Sequence, residues 1–128
     1  RFSSRLAASW LSRHHGIVPM RRVLVMGAGD AGAMIVREMR ANPQLGLEPI
    51  GFVDDDMYKH DVRIHGLPVL GSRYDIPDIV QAYKVVQVII AMPSASGKVI
   101  RDVMTICEQA GVPAKTIPGI YELLDGQV

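Results

Sequence analysis

The sequence predicts an open, doubly wound α/β sheet of five parallel strands in the order 3-2-1-4-5, with helices on both faces. From Arg22 onward, short β-branched runs alternate with helical patterns of roughly 10 to 15 residues. Parallel neighbours need such crossover connections. The run from Val85 to Met92 is almost continuously apolar, which indicates a strand buried on both faces. Right-handed crossovers and short loops favour this strand order.

Each element follows from a local signal. Asn42-Pro43 ends the first helix, and Gly111 ends the last one. We predict strands at 23–26, 48–53, 67–71, 85–93 and 114–118, and helices at 30–41, from 75 through 83, and at 94–110. Two weaker helical patterns lie at the ends of the chain, in residues 1–16 and 120–126.

The charge is unevenly distributed along the chain. Residues 1–22 carry five arginines and no acid, whereas the remaining nine basic residues face all thirteen acids, although the formal net charge is only +1. We therefore divide the chain into a basic leader, residues 1–20, and a folded domain, residues 21–128. An Arg-rich leader with a tryptophan indicates either a loosely docked terminal segment or a juxtamembrane piece on the cytoplasmic side.

Composition excludes several classes of protein. Cys107 is the single cysteine, so a disulfide framework or a cysteine-based zinc site is excluded. It lies in an apolar helical pattern, which predicts a buried and inert thiol. The longest apolar run is too short to span a bilayer, and no secretory signal is visible. Because the chain opens at Arg1, we expect it to be a piece of a longer protein.

A glycine-rich loop follows the first predicted strand and opens the first helix. It reads Gly27-Ala28-Gly29-Asp30-Ala31-Gly32, the G-x-G-x-x-G fingerprint of a dinucleotide-binding turn. The first glycine permits the tight turn, the second lets the backbone approach a pyrophosphate, and the third lets the helix pack closely. The amides of Asp30, Ala31 and Gly32 would face the phosphates from the helix N-terminus. The alternative is that the glycines only make the turn.

The fingerprint also requires an acid at the end of the second strand. Asp54, with Asp55 beside it, occupies that place. A carboxylate there accepts ribose hydroxyls and repels a ribose phosphate, which favours NAD over NADP or coenzyme A. Asp30 opposes this interpretation, since its charge suits the helix dipole but not a bound anion.

Two further segments contain residues that could bind a ligand or a metal. Ser94 or Ser96, after the fourth strand, would cap the next helix, and either hydroxyl could face a ligand. The segment 54–65 crowds carboxylates and imidazoles together, but its spacing fits no known metal loop, so we interpret it as solvated and predict no metal site. We give the adjacent histidines at 14 and 15 the same interpretation.

Five motifs in order resemble a known family: "VLVMGAGDAG", "GFVDDD", "IHGLPVLG", "VIIAMPSASG" and "VPAKTIPGIYELLDGQV". The chain from residue 21 to 128 is similar to the amino-terminal Rossmann-like, CoA-binding-like domain of membrane-anchored bacterial polysaccharide biosynthesis proteins. These are CapD-like nucleotide-sugar 4,6-dehydratases and epimerases. The resemblance implies transmembrane helices upstream, a location at the cytoplasmic face of the inner membrane, and a separate catalytic domain downstream in the same chain.

The resemblance also implies that catalysis belongs to that second domain, through a Tyr-x-x-x-Lys pair. No tyrosine of this sequence has a lysine four residues later. We therefore expect no catalytic residue and no turnover in this chain alone. The label "CoA-binding-like" rests on fold similarity, which is a weak argument for a ligand.

Three functional hypotheses follow. The first is a nucleotide-binding module that holds NAD, with coenzyme A or a UDP-sugar as less favoured ligands. The second is an interaction domain that lost its ligand and packs on the catalytic domain or on a second copy. The third is a sensor of the NADH to NAD ratio. We expect no nucleic-acid partner.

Overall fold

A computed structural model describes residues 20–117. The strands are β1 (Arg21–Met26), β2 (Leu47–Val53), β3 (Arg63–Ile64), β4 (Leu67–Gly71), β5 (Gln87–Ile90) and β6 (Ala114–Thr116), and the α-helices are α1 (Asp30–Ala41), α2 (Ile76–Tyr83) and α3 (Gly97–Gln109). Short 3-10 turns occupy Pro43–Leu45, Met57–Lys59 and Arg73–Asp75. The patterns predicted in residues 1–16 and 120–126 lie outside the described residues.

The sheet has six strands in the order β3-β4-β2-β1-β5-β6. Pairing is parallel from β4 to β6, and these five strands follow the predicted order. The predicted number of five strands is wrong, because β3 adds an antiparallel edge strand beside β4. The sheet is therefore mixed rather than wholly parallel.

The β3–β4 hairpin was hidden in the segment interpreted as a solvated loop. Ile64 pairs with Leu67, so His65 and Gly66 form a two-residue turn. Their φ angles are 51° and 79°, the left-handed pair that a tight hairpin requires. Two residues of strand are too short to give a pattern of alternation, which is why β3 escapes prediction.

Helices cover both faces of the sheet, as predicted. The central strand β1 accordingly buries alternate residues on opposite sides of the sheet. Val23 and Val25 pack with Val36 and Met39 of α1. Leu24 and Met26 belong to a second core, with Ile76 and Ile79 of α2 and Val103 and Cys107 of α3. All four of these β1 side chains are fully buried. The two cores fix the sheet between helical layers and leave its carboxyl edge open.

Helix α1 has the predicted bounds, but α3 begins three residues later than predicted. The Ser96 hydroxyl caps it by accepting a hydrogen bond from the Val99 N–H at 3.3 Å. Ser94 lies instead in a turn closed by the Ala95 N–H and the Met92 carbonyl. The cap therefore belongs to Ser96.

Candidate nucleotide-binding site

A cleft of about 340 Å³ opens at the carboxyl ends of β1 and β5. Its walls come from the glycine loop, the end of β2 and the segment after β5. Lys59 and the segment 91–95 contribute to the lining. Six of the predicted site residues also line the cleft: Gly27, Gly29, Asp30, Ala31, Asp54 and Ser94. Ligands of open α/β sheets bind at this position, outside the carboxyl ends of the strands.

Gly27 and Gly32 shape the loop. Gly27 has a φ of 112°, and a Cβ there would clash with the carbonyl oxygen of Ala91, directly after the neighbouring strand β5. A Cβ at Gly32 would overlap the Gly27 carbonyl oxygen and press on the Phe52 ring. Gly32 is buried inside the turn and does not line the cleft. Both glycines are therefore required for the strand-to-helix turn, whatever the site binds.

Gly29 is different, because neither its conformation nor its packing requires glycine. Its φ is −97°, and among the described residues beyond its chain neighbours a Cβ would come within 4 Å of one atom, the Lys59 Nζ at 3.8 Å. Gly29 is exposed and forms the N-cap of α1, with no side-chain cap on the helix. The space beside Gly29 therefore adjoins unsatisfied amides at a helix N-terminus, which favour an anion.

Asp54 joins the end of β2 to the glycine loop. Its Oδ2 accepts a hydrogen bond from the Ala28 N–H at 2.8 Å, and its Oδ1 accepts one from the Asp56 N–H at 2.9 Å. The side chain is only 17 % exposed. Each carboxylate oxygen has a second lone pair, so the group can still accept ribose hydroxyls. The predicted acid thus lies at the mouth of the cleft, held by two backbone amides.

Lys59 is the charged lining residue that was not predicted as part of the site; Ala91, Met92, Pro93 and Ala95 also line the cleft and were not predicted. The Lys59 Nζ lies 3.8 Å from Asp54 Oδ2 and faces the space beside Gly29. The turn Met57–Lys59 carries it, and the Asp56 carboxylate caps that turn at the Tyr58 N–H. The sequence held one signal for it: Lys59 follows Asp54, the predicted ribose acid, by five residues in the same loop.

Asp55 points away from the cleft. Its carboxylate accepts hydrogen bonds from the Arg73 backbone N–H at 3.0 Å and from Arg73 Nε at 2.8 Å. Arg73 also reaches Asp102 of α3, with 2.9 Å between Nη1 and Oδ2. Burial opposes ionisation of Asp55, but the hydrogen bonds and charge of Arg73 outweigh it and hold the pKa of Asp55 below its usual value. Asp55 therefore belongs to an ion-pair network beside the cleft.

Asp30 at the start of α1 and Ser94 after β5 both line the cleft, and both are exposed. Asp30 occupies the first turn of α1, where its charge favours the helix dipole. Two of the lining side chains are therefore acidic, those of Asp30 and Asp54, and Lys59 supplies the positive charge.

The histidines of the 54–65 segment have structural contacts. The His60 ring donates through Nε2 to the Asp54 carbonyl oxygen at 2.7 Å, which closes the loop that carries Lys59. His65 forms the hairpin turn. Across residues 20–117, no three His, Cys, Asp or Glu side chains come together as metal ligands would. The histidines at 14 and 15 lie outside the described residues.

An open α/β sheet with a glycine loop at a helix N-terminus and an acid at the end of the next strand defines the class of Rossmann-like nucleotide-binding domains. The comparison with known families agrees and is more specific. A family described as CoA-binding domain matches residues 1–118, and the chain belongs to it.

Two curated relatives are polysaccharide biosynthesis proteins. The probable polysaccharide biosynthesis protein EpsC of Bacillus subtilis is 36 % identical over 105 residues, which is 82 % of this chain and 18 % of EpsC. The capsular polysaccharide biosynthesis protein CapD of Staphylococcus aureus is 33 % identical over 112 residues, 87 % of this chain and 19 % of CapD. The chain therefore spans about a fifth of the length of either relative.

A solved structure of similar size shows the same fold. UDP-D-quinovosamine 4-dehydrogenase from Vibrio fischeri superimposes with a TM-score of 0.76 at 27 % identity, over 85 % of this chain and 87 % of that one. The predicted resemblance to the polysaccharide biosynthesis proteins is confirmed. In residues 20–117, every helix is too short or too polar to cross a membrane.

Proposed function

We propose that this chain is the nucleotide-binding domain, with NAD as the preferred ligand, of a nucleotide-sugar 4,6-dehydratase or epimerase of bacterial polysaccharide biosynthesis. Residues 21–128 form the domain and residues 1–20 its juxtamembrane leader at the cytoplasmic face of the inner membrane. Catalysis resides in a further domain of the longer chain. Support comes from relatives named as polysaccharide biosynthesis proteins and from a structural neighbour named as a UDP-sugar dehydrogenase.

The proposal rests on one observation: at Gly29, which lines the cleft, neither the backbone conformation nor the packing requires a glycine. The turn requires Gly27 and Gly32, whereas a Cβ at Gly29 would make only an ordinary contact with the Lys59 ammonium among the described residues. Close approach of a phosphate group to the backbone is the remaining demand that a glycine meets there. Asp54 lies beside the same loop and would offer its carboxylate to a ribose, which disfavours the 3′-phosphate of coenzyme A despite the family's description.

Gly29→Ser tests this proposal without damaging the fold. Serine is a slightly better N-cap than glycine, so the free energy of unfolding should change by only a few tenths of a kcal/mol. The added side chain occupies the space for the phosphates, so affinity for the nucleotide should fall at least about tenfold. Calorimetric titration of the chain with NAD, NADH, coenzyme A and UDP-GlcNAc, at one salt concentration, measures both the preference and the loss.

Asp54→Ala complements this variant, and Asp78→Ala on α2 serves as its control, since Asp78 is an exposed acid away from the cleft. Removing the Asp54 carboxylate should weaken NAD binding and, by leaving two amides unpaired, reduce stability by about 1–3 kcal/mol. Unchanged NAD affinity in a folded Asp54→Ala protein would remove the ribose assignment. Equal affinity for NAD and NADH would exclude the redox sensor.

A second candidate is a ligand-free interaction domain. It is favoured by the fact that both oxygens of Asp54 already accept hydrogen bonds from the backbone. In that case none of the four nucleotides would produce heat or a thermal shift, and Gly29→Ser would be neutral in every assay.

A further inference from the structure

The charges around the cleft do not suit an anion unless one more residue takes part. Asp30 and Asp54 place two carboxylates beside the space at Gly29. A diphosphate entering there would meet the amides of α1 but also this pair of negative charges. At short range in a partly buried site, like charges of this kind oppose binding strongly.

Among the described residues that line the cleft, Lys59 is the cation. Its Nζ is 3.8 Å from the position of a Cβ on Gly29, the glycine at which phosphates approach the loop. The distance from Nζ to Asp54 Oδ2 is also 3.8 Å, too long for a hydrogen bond, and the Lys59 side chain is 38 % exposed. Within the described residues the Lys59 ammonium therefore forms an ion pair with Asp54 but no hydrogen bond, and its three N–H donors remain for a ligand in the cleft.

The loop that carries Lys59 is built to hold it in place. The Asp54 carboxylate accepts from Asp56, the Asp56 carboxylate accepts from Tyr58, and the Lys59 N–H bonds the Asp56 carbonyl at 3.0 Å. His60 then ties the end of the loop back to the Asp54 carbonyl. Lys59 is thus anchored to the residue that faces the ribose, so ribose and phosphate contacts would be set by one short segment.

We propose that Lys59 binds the diphosphate of the ligand, and that the site accordingly selects nucleotides with a diphosphate over nucleosides. The proposal rests on the nucleotide-binding function proposed above and assigns to it a residue outside the glycine fingerprint. Lys59 offsets the charges of Asp30 and Asp54 at the point where the diphosphate crosses the N-terminus of α1.

The test compares ligands with and without phosphate on matched variants. Lys59→Gln removes the charge and leaves a polar side chain that is one atom shorter, Lys59→Arg keeps the charge, and Lys84→Gln is the control. Lys84 is exposed and follows α2 at the opposite edge of the sheet. Adenosine, ADP and NAD are titrated by NMR chemical shift, which reaches millimolar affinities, at two salt concentrations.

The expected result is a loss of about tenfold in affinity for ADP and NAD in Lys59→Gln, the scale of one hydrogen bond between charged groups. Adenosine binding should be unchanged, Lys59→Arg should recover most of the affinity, and Lys84→Gln should match the wild type. The salt dependence of ADP binding should be weaker in Lys59→Gln, because one charge pair is missing.

Other outcomes overturn the proposal in distinct ways. If ADP binds Lys59→Gln as well as the wild type, Lys59 is not a phosphate ligand, but the nucleotide-binding function stands. If adenosine and ADP weaken equally, Lys59 acts through Asp54 and the diphosphate contact is wrong. If the wild type binds none of the three compounds, the proposed function fails, and the role of Lys59 fails with it.

Discussion

At the scale of single residues, the three glycines of the fingerprint answer different demands. Gly27 supplies a φ of 112° that a side chain rarely adopts. Gly32 supplies contact between the helix and the preceding turn, where a methyl group has no room. Gly29 leaves room in the cleft beside the N-terminus of α1 and the Lys59 ammonium. A sequence motif treats the three alike, whereas their substitutions should affect different properties of the protein.

Gly32→Ala should therefore destabilise the fold, independently of any ligand. The new methyl group would overlap a backbone carbonyl that cannot move without moving β1, so we expect a loss near the upper end of overpacking costs, about 3 kcal/mol. Urea denaturation followed by circular dichroism measures it.

Gly97→Ala is the matched control for Gly32→Ala. A Cβ at Gly97 meets only the flexible end of the Arg101 side chain, in the first turn of α3. The free energy of unfolding of the Gly97→Ala protein should be unchanged or up to about 1 kcal/mol greater than that of the wild type. Equal effects of the two substitutions would contradict the close contact assigned to Gly32.

At the scale of elements, Arg73 joins three parts of the structure that are distant in sequence. Its guanidinium, 17 % exposed, binds Asp55 at the end of β2 and Asp102 on α3, while its own segment connects β4 to α2. The network holds the helical layer against the carboxyl edge of the sheet, beside the cleft. Ion pairs between separate elements cannot be inferred from the spacing of residues along the sequence. The sequence therefore contained no sign that Arg73 binds Asp55, and Asp55 was predicted as a ligand of the nucleotide instead.

Arg73→Met should reduce stability at neutral pH but much less in acid. The folded-state pKa of Asp55 is lowered, so its contribution is complete above the unfolded value of about 4 and is lost as the pH falls through the folded value. The difference in unfolding free energy between wild type and Arg73→Met should therefore narrow below about pH 4.

Urea denaturation between pH 3 and 7 measures the effect of Arg73→Met. A difference that stays constant over this range would show that Arg73 stabilises by packing alone. Arg63→Met provides the control, because Arg63 is exposed and its guanidinium reaches a carbonyl, that of Gly66, rather than a carboxylate.

At the scale of the whole molecule, the sequence predicted the parallel part of the sheet, the helices on both faces and the glycine loop. Those features depend on periodicity and on local turn chemistry, which are readable along the chain. The hairpin of β3, the position of Lys59 and the partner of Asp55 depend on contacts across the sheet edge. His65-Gly66 between Ile64 and Leu67 was nevertheless a local sign of a two-residue turn.

Cys107 reports on the global stability of the molecule. It lies in the core between β1, β5 and the helices, 1 % exposed, as its apolar pattern predicted. Burial raises the pKa of the Cys107 thiol to about 11, so the reactive thiolate is suppressed in the folded state. We expect a disulfide reagent at pH 8 to label Cys107 only as fast as the protein opens.

Labelling of Cys107 should accelerate in urea in step with unfolding followed by circular dichroism. Gly32→Ala should be labelled faster than Gly97→Ala at the same temperature, because it opens more often. Rapid labelling of the folded wild type would contradict the inertness predicted for this thiol.

The central position of β1 has a consequence for synthesis of the chain. One of its neighbours, β2, follows after a single helix, but β5, on its other side, comes only after β2, β3, β4 and α2 have been made. At about 5–20 residues per second, the hydrogen-bonding groups of β1 that face β5 stay unpaired for several seconds after the first β-α-β unit has formed. During that interval an apolar strand with a free edge is exposed on the nascent protein. We therefore expect recovery of soluble protein to depend on how quickly residues 87–90 follow.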